Sequence, residues 1–241
     1  MTADIMTVIW KERKGLFRVR GSRGRFLLTL LSPLILAIWM PWEAGREWVD
    51  GIPSVLLSVV VPIILVAITI PDSFAGERER HTLSTLLASR LPDRAILFGK
   101  VIVSMAFALT LTFLMLTLGL VVANIAHWDG ELVFYAPLVL FADVALSILL
   151  AGLLSGAGVL ISFRSASVQE ATQTLTAIFL MPPMIIGFIL MAFTEQLRDI
   201  LTNVKAEHIL LIVLAVLIAA NAALHAAVLS RFKRSRLILL D

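Results

Sequence analysis

PDSFAGERERHTLSTLLASRLPDRAILFGK, residues 71–100, is the one long charge-dense stretch between two apolar segments of this chain. It holds Glu77, Arg78, Glu79, Arg80, Arg90, Asp93, Arg94 and Lys100. A chain that only had to turn between two membrane spans could do so in a handful of residues. A polar connector of this length therefore reads as a surface that something outside the bilayer grips. Glu77 to Arg90 is rich in good helix formers, with Leu83, Leu86 and Leu87 on one stripe. Acids in its first turns and Arg90 near its end suit the helix dipole. Pro92 stops this helix, and Asp93 can cap a second one that leads through Gly99 and Lys100 into the next apolar run. The leucine stripe must pack either under its own bundle or against a partner.

The flanks of the connector are those of an integral membrane protein. Hydrophobic residues make up 59% of the chain and charged residues 15%, against roughly a quarter charged in a soluble domain. Six apolar segments, 26–42, 52–74, 98–126, 133–163, 171–193 and 208–229, approach or exceed the ~18–20 residues that cross a bilayer core. The expected fold is all-α and polytopic, with six transmembrane helices. Residues 1–25 precede the bundle as a basic interfacial helix and elbow. The transmembrane domain is expected over 26–230, with its connector at 75–97, and a basic tail over 231–241. With no cysteine, disulfides and thiolate metal sites are excluded.

Charge sets the orientation. Seventeen Lys and Arg fall in the N-terminal segment, the 71–100 connector, Arg164 and the C-terminal tail. Only Arg46, Arg198 and Lys205 fall in the other loops, beside eight acids such as Glu43, Asp50 and Asp129. That asymmetry places both termini on the cytoplasmic side of the plasma (inner) membrane. A pI near 9.7 tempts a nucleic-acid reading. Topology control and anionic headgroups explain basic loops on one side better, so no nucleic-acid partner is expected. The first span is not expected to be a cleaved leader, because its basic region is too long and no A-x-A site follows Met40.

Ile5, Met6, Ile9, Trp10 and Phe17 recur at helical spacing among Lys11, Lys14 and Arg18, which suits an amphipathic helix on the inner leaflet. A basic topogenic tail is the alternative. Trp39, Trp42 and Trp48 are expected at the outer headgroup layer. Pro182–Pro183 either kinks the fifth span or breaks it into a re-entrant element.

With these features in place, the connector resembles the signature of permeases in the type-2 ATP-binding-cassette exporter superfamily, E-R-E-x-x-T-L-x-x-L-L…P…G-K. The matching residues are Glu77, Arg78, Glu79, Thr82, Leu83, Leu86, Leu87, Pro92, Gly99 and Lys100. His81 stands where that pattern commonly has Gly. The close match covers about thirty residues, and the topology match the whole chain. The resemblance implies that the connector is a cytoplasmic coupling helix between spans 2 and 3, docking on a separate ABC ATPase subunit. Its coupling residues would be Glu77, Arg78, Glu79, Thr82, Leu83, Leu86 and Leu87. It further implies a second permease subunit, identical or related, with ATP and Mg held by the ATPase and no cofactor by this chain. The absence of a G-x-x-x-x-G-K-[ST] phosphate loop agrees, since Gly99–Lys100 is followed by Val101.

Within the spans, Asp143 is the one acid well inside the bilayer, either on a translocation path or holding helices together. Gly152 and Gly156 form a G-x-x-x-G for close packing, inside one protomer or across a dimer. Thr110, Thr112, Thr117, Thr172, Gln173, Thr174 and Thr176 either line a path or bond their own backbone. The four histidines are scattered, so no metal site is expected, and no Ser–His–Asp constellation is visible. The expected function is ABC export. Its rivals are a membrane-embedded lipid enzyme and a non-transporting anchor for a cytoplasmic ATPase.

Overall fold

Long runs of Leu, Ile, Val and Ala favour helix, and the bilayer forbids anything that leaves backbone groups unpaired. The computed structural model describes residues 2–17, 23–80, 82, 90–192 and 205–231. Among them are eight helices: α1 Thr2–Phe17, α2 Arg23–Ala44, α3 Glu47–Asp50, α4 Ile52–Glu79, α5 Asp93–Ala126, α6 Pro137–Ser162, α7 Val168–Ala192 and α8 Ala206–Arg231.

Four helices are long and apolar enough to cross a membrane among the described residues: α4, α5, α6 and α8. This corrects the expectation of six spans. The two expected spans that fall away lie on α2 and α7. α2 opens on Arg23 and Arg25 and carries Pro33 and Pro41. α7 opens on Gln169 and Glu170, followed by Thr172, Gln173 and Thr174, so its first two turns are polar. α7 also runs as one helix through Pro182–Pro183.

α4 is the hub, packing on α5, α6 and α7 and touching α2 and α3. Its core side includes Leu57, Val61, Leu65, Val66 and Ile70, all essentially buried. α8 sits at the rim, with 6% of its apolar window buried against 56% for α4. It is held by the small residues of α6. A Cβ at Gly152 would lie 2.6 Å from Asn221 Oδ1, and one at Gly156 2.9 Å from Leu224 Cδ2. Asn221 Nδ2 also donates to the Leu149 carbonyl at 2.9 Å. The G-x-x-x-G is thus occupied within the protomer.

The tryptophans separate. Trp39 and Trp42 are 58% exposed, whereas Trp48 is fully buried. α3 turns its indole onto Gly119, where a Cβ would meet the ring at 2.5 Å. Its Nε1–H donates to Tyr135 Oη at 2.9 Å, and the Tyr135 hydroxyl donates to the Leu116 carbonyl at 2.8 Å. Burial pushes the Tyr135 phenol well above its ordinary range, against the opposing hydrogen bond from Trp48.

Candidate functional site

Pro71 does not end α4. The helix continues to Glu79 and stops at Arg80, whose N–H caps back onto the Gly76 carbonyl at 3.1 Å. Glu77, Arg78 and Glu79 are therefore the last turn of the hub helix and not the start of a separate surface helix. Successive helical residues point about 100° apart. Three consecutive charged side chains accordingly reach three different neighbours.

Glu77 turns toward α1 and α5. Its carboxylate pairs with Lys11 Nζ at 2.8 Å and with Lys100 Nζ at 3.0 Å. Lys100 is 1% exposed and Glu77 7%. Lys100 is also paired with Glu12 at 3.3 Å, donates to the Ser73 carbonyl and lies 5.2 Å from the centre of the Phe74 ring. A buried ammonium surrounded by two carboxylates, a carbonyl and an aromatic face is compensated on every side. Burial acts to lower the Lys11 pKa, but the hydrogen bond and charge of Glu77, aided by Glu12, leave it raised.

Arg78 turns toward the end of α6. Its Nη1 donates to the Ser165 carbonyl at 3.1 Å, and its Nη2 to those of Ser162 and Phe163 at 3.1 and 3.2 Å. The last carbonyls of a helix have no partner within it and carry partial negative charge, so a guanidinium fork is the natural stopper. Glu79 turns toward α7 and accepts the Val168 N–H at 2.9 Å. Ser167 caps that helix start, its Oγ accepting the Glu170 N–H at 3.1 Å, and Glu170 Oε2 reaches back to accept the Ala166 N–H at 2.8 Å. One turn of α4 thus fastens α1, α5, α6 and α7 together.

The rest of the signature serves the same node. Thr82 places its N–H and its hydroxyl on the Glu77 carbonyl, at 2.9 and 3.2 Å. Gly99 lets α1 approach α5, since a Cβ there would lie 2.5 Å from Val8 Cγ1. Gly76 leaves room for Arg80 to fold back on Asp72 at 3.2 Å. Leu83, Leu86 and Leu87 lie outside the described residues.

Sequence reasoning named Lys100 but missed Lys11, Glu12 and Ser73 as its surroundings. The only signal was a Lys–Glu pair inside the N-terminal amphipathic helix. Val8, which the apolar stripe omitted, is the best-buried residue of α1 at 2% exposed, while Met6 and Trp10 stay outside.

Asp143 lies at the opposite end, fully buried. The hydroxyls of Ser54 and Ser58 lie close enough to its carboxyl to interact with it, though neither carboxyl oxygen makes a regular hydrogen bond among the described residues. Thr112, Thr117 and Thr176 bond the carbonyls of their own helices. Among the described residues no cluster of His, Asp and Glu could hold a metal ion.

Residues 44–229 match the family model described as ABC-2 family transporter protein, and no curated protein matches the chain. The matched span takes in Glu77, Arg78, Glu79, Lys100 and Asp143, leaving only the α1 limb of the node outside it. This is a transporter permease type of chain, not a nucleotide-hydrolysing one. The chain belongs to the ABC-2 family of transporter proteins.

Proposed function

We propose that this chain is the membrane-spanning permease subunit of an ABC exporter, driven by ATP that a separate ATPase subunit hydrolyses. The observation that carries this reading is the anchorage of the connector. Its root, Glu77–Glu79, is tied to four other helices. A push on the connector would therefore move several helix ends at once, as a coupling element requires and a simple turn does not. The docking surface is the leucine stripe of Leu83, Leu86 and Leu87, inside the segment 77–91. Glu77, Arg78, Glu79 and Thr82 act behind it, passing its displacement to the bundle. ATP and Mg2+ belong to the ATPase subunit, and a second permease chain, identical or related, completes the complex. The Lys and Arg gathered in α1 and the connector would set the node on the cytoplasmic face of the plasma (inner) membrane. Residues 1–25 form its interfacial limb.

The test is co-purification of a co-expressed ABC ATPase subunit with the full chain from membranes. Leu83→Asp puts a charge on the docking stripe and is expected to abolish co-purification while the chain still inserts. An unchanged yield of complex with Leu83→Asp would contradict the docking role.

A further inference from the structure

Asp143 presents a chemical imbalance. It sits on α6 one and a half turns or so from Pro137, fully buried together with Ser54 and Ser58 of α4 and Ser147 of its own helix. A hydroxyl has one proton to donate. Ser58 Oγ donates to the Val55 carbonyl at 2.8 Å, and Ser147 Oγ to the Ser58 carbonyl at 3.0 Å. Both protons are thereby used on the α4 backbone, and both hydroxyls remain only as acceptors. Ser54 Oγ has no hydrogen-bond partner, and neither has Asp143 Oδ1 or Oδ2. The cluster is thus rich in acceptor oxygens, and its one uncommitted proton, on the Ser54 hydroxyl, belongs to a neutral donor that brings no positive charge to the carboxylate.

No cation of the protein corrects this among the described residues. α8 faces the region with Leu210, Leu214 and Leu217, packed on Val55, Val59, Ala142 and Leu146. Tyr135, a titratable group close enough to feel the Asp143 carboxyl, donates its proton to the Leu116 carbonyl. Arg46 is exposed and paired with Asp129, and Lys205 and Glu207 at the head of α8 are exposed as well. An uncompensated buried carboxylate is costly enough that it takes up a positive charge or does not stay buried. We propose that Asp143, Ser54 and Ser58 form a binding site for one small monovalent cation, a proton or Na+, between α4 and α6. A proton would neutralise the Asp143 carboxyl and make it a donor toward the serine oxygens. Na+, a hard ion that takes oxygen ligands, would use the same oxygens as ligands. In either case occupancy tightens the α4–α6 contact, and loss of the ion loosens the far end of the hub helix. The site stands independently of the ATPase reading.

The experiment is thermal unfolding of the purified full chain in detergent, wild type against Asp143→Asn. It is run over a range of pH in Na+-free buffer, and over a range of NaCl balanced with N-methylglucamine chloride at constant ionic strength. Binding to the folded state raises the midpoint as the ion becomes available. The wild type is expected to gain stability over Asp143→Asn as pH falls if the ion is a proton, or as NaCl rises if it is Na+. Asp143→Asn, which carries no charge there, is expected to lack that dependence and to match or exceed the wild type where the ion is absent. A difference between the two proteins that stays constant across both series overturns the proposal. Should Asp143→Asn not fold, Ser58→Ala takes its place. A shift of its pH or NaCl midpoint supports the site, and identical midpoints overturn it.

Discussion

Lys100 is the residue on which the connector end of the molecule depends. At 1% exposure it has no water to fall back on, so its stability rests on Glu77, Glu12, the Ser73 carbonyl and the Phe74 ring. Removing one partner from a buried ion pair typically costs about 3–5 kcal/mol, while replacing the whole pair with apolar groups is often neutral. Glu77→Ala is therefore expected to destabilise the chain by that order in detergent unfolding. Glu77→Ala combined with Lys100→Met is expected to recover most of the loss, and equal losses in the two proteins would show that the charge is not what matters. The two ends of this pair were legible as members of one signature. Their contact was not, because Lys11 and Glu12 arrive from a helix some sixty residues earlier, and no periodicity reports a partner at that distance. Asp143 was legible as an anomaly for the opposite reason, since one acid in an apolar run is conspicuous by itself. The serines around it were not, because Ser54 and Ser58 sit on another helix and look like ordinary small residues.

Among the elements, α4 carries the architecture. It continues past Pro62 and Pro71 with other helices packed round it, so a proline does not end the helix here. The sequence pattern placed a boundary near Pro71 and assigned Glu77 onward to a new helix. The structure instead makes Glu77–Glu79 the tip of the hub. α1 was legible as a helix from its apolar spacing, but the residue that seats it, Val8, lies off the predicted stripe. Its seat is Gly99 of α5, where an added Cβ would come within 2.5 Å of Val8 Cγ1 and 2.6 Å of its Cβ. Overpacking at a close helix contact typically costs about 1–3 kcal/mol. Gly99→Ala is expected to lift α1 from α5, which protease cleavage within α1 would register as a faster cut. Unchanged protection would mean that the ion pairs alone hold α1 in place. Trp48 gives the matching lesson at the far end. Its neighbours Trp39 and Trp42 stay exposed, but α3 turns Trp48 inward onto Gly119, and composition says nothing of such a turn.

At the scale of the whole molecule, the two polar features occupy opposite ends of the same helix pair. One end binds α4 to α1, α5, α6 and α7 through charge-assisted bonds. At the other end a carboxyl with no counter-charge among the described residues lies between α4 and α6. The all-helical membrane class was evident from composition. The number of spans was not: apolar length alone counted α2 and α7, whereas four helices, α4, α5, α6 and α8, are long and apolar enough to cross among the described residues. On the proposed function, the last turn of α4 transmits movement of the connector to the bundle. Arg78 tests it most directly, since it binds three carbonyls at the end of α6 and none of the docking leucines is altered by its removal. Hydrogen bonds to a charged group are worth about 1.5–3 kcal/mol, and each ~1.4 kcal/mol is a factor of ten. The decisive measurement is ATP hydrolysis by the co-purified complex in vesicles, wild type against Arg78→Ala. The expected result is an intact complex whose permease-dependent stimulation has fallen about tenfold or more; full stimulation in an intact Arg78→Ala complex would contradict the account.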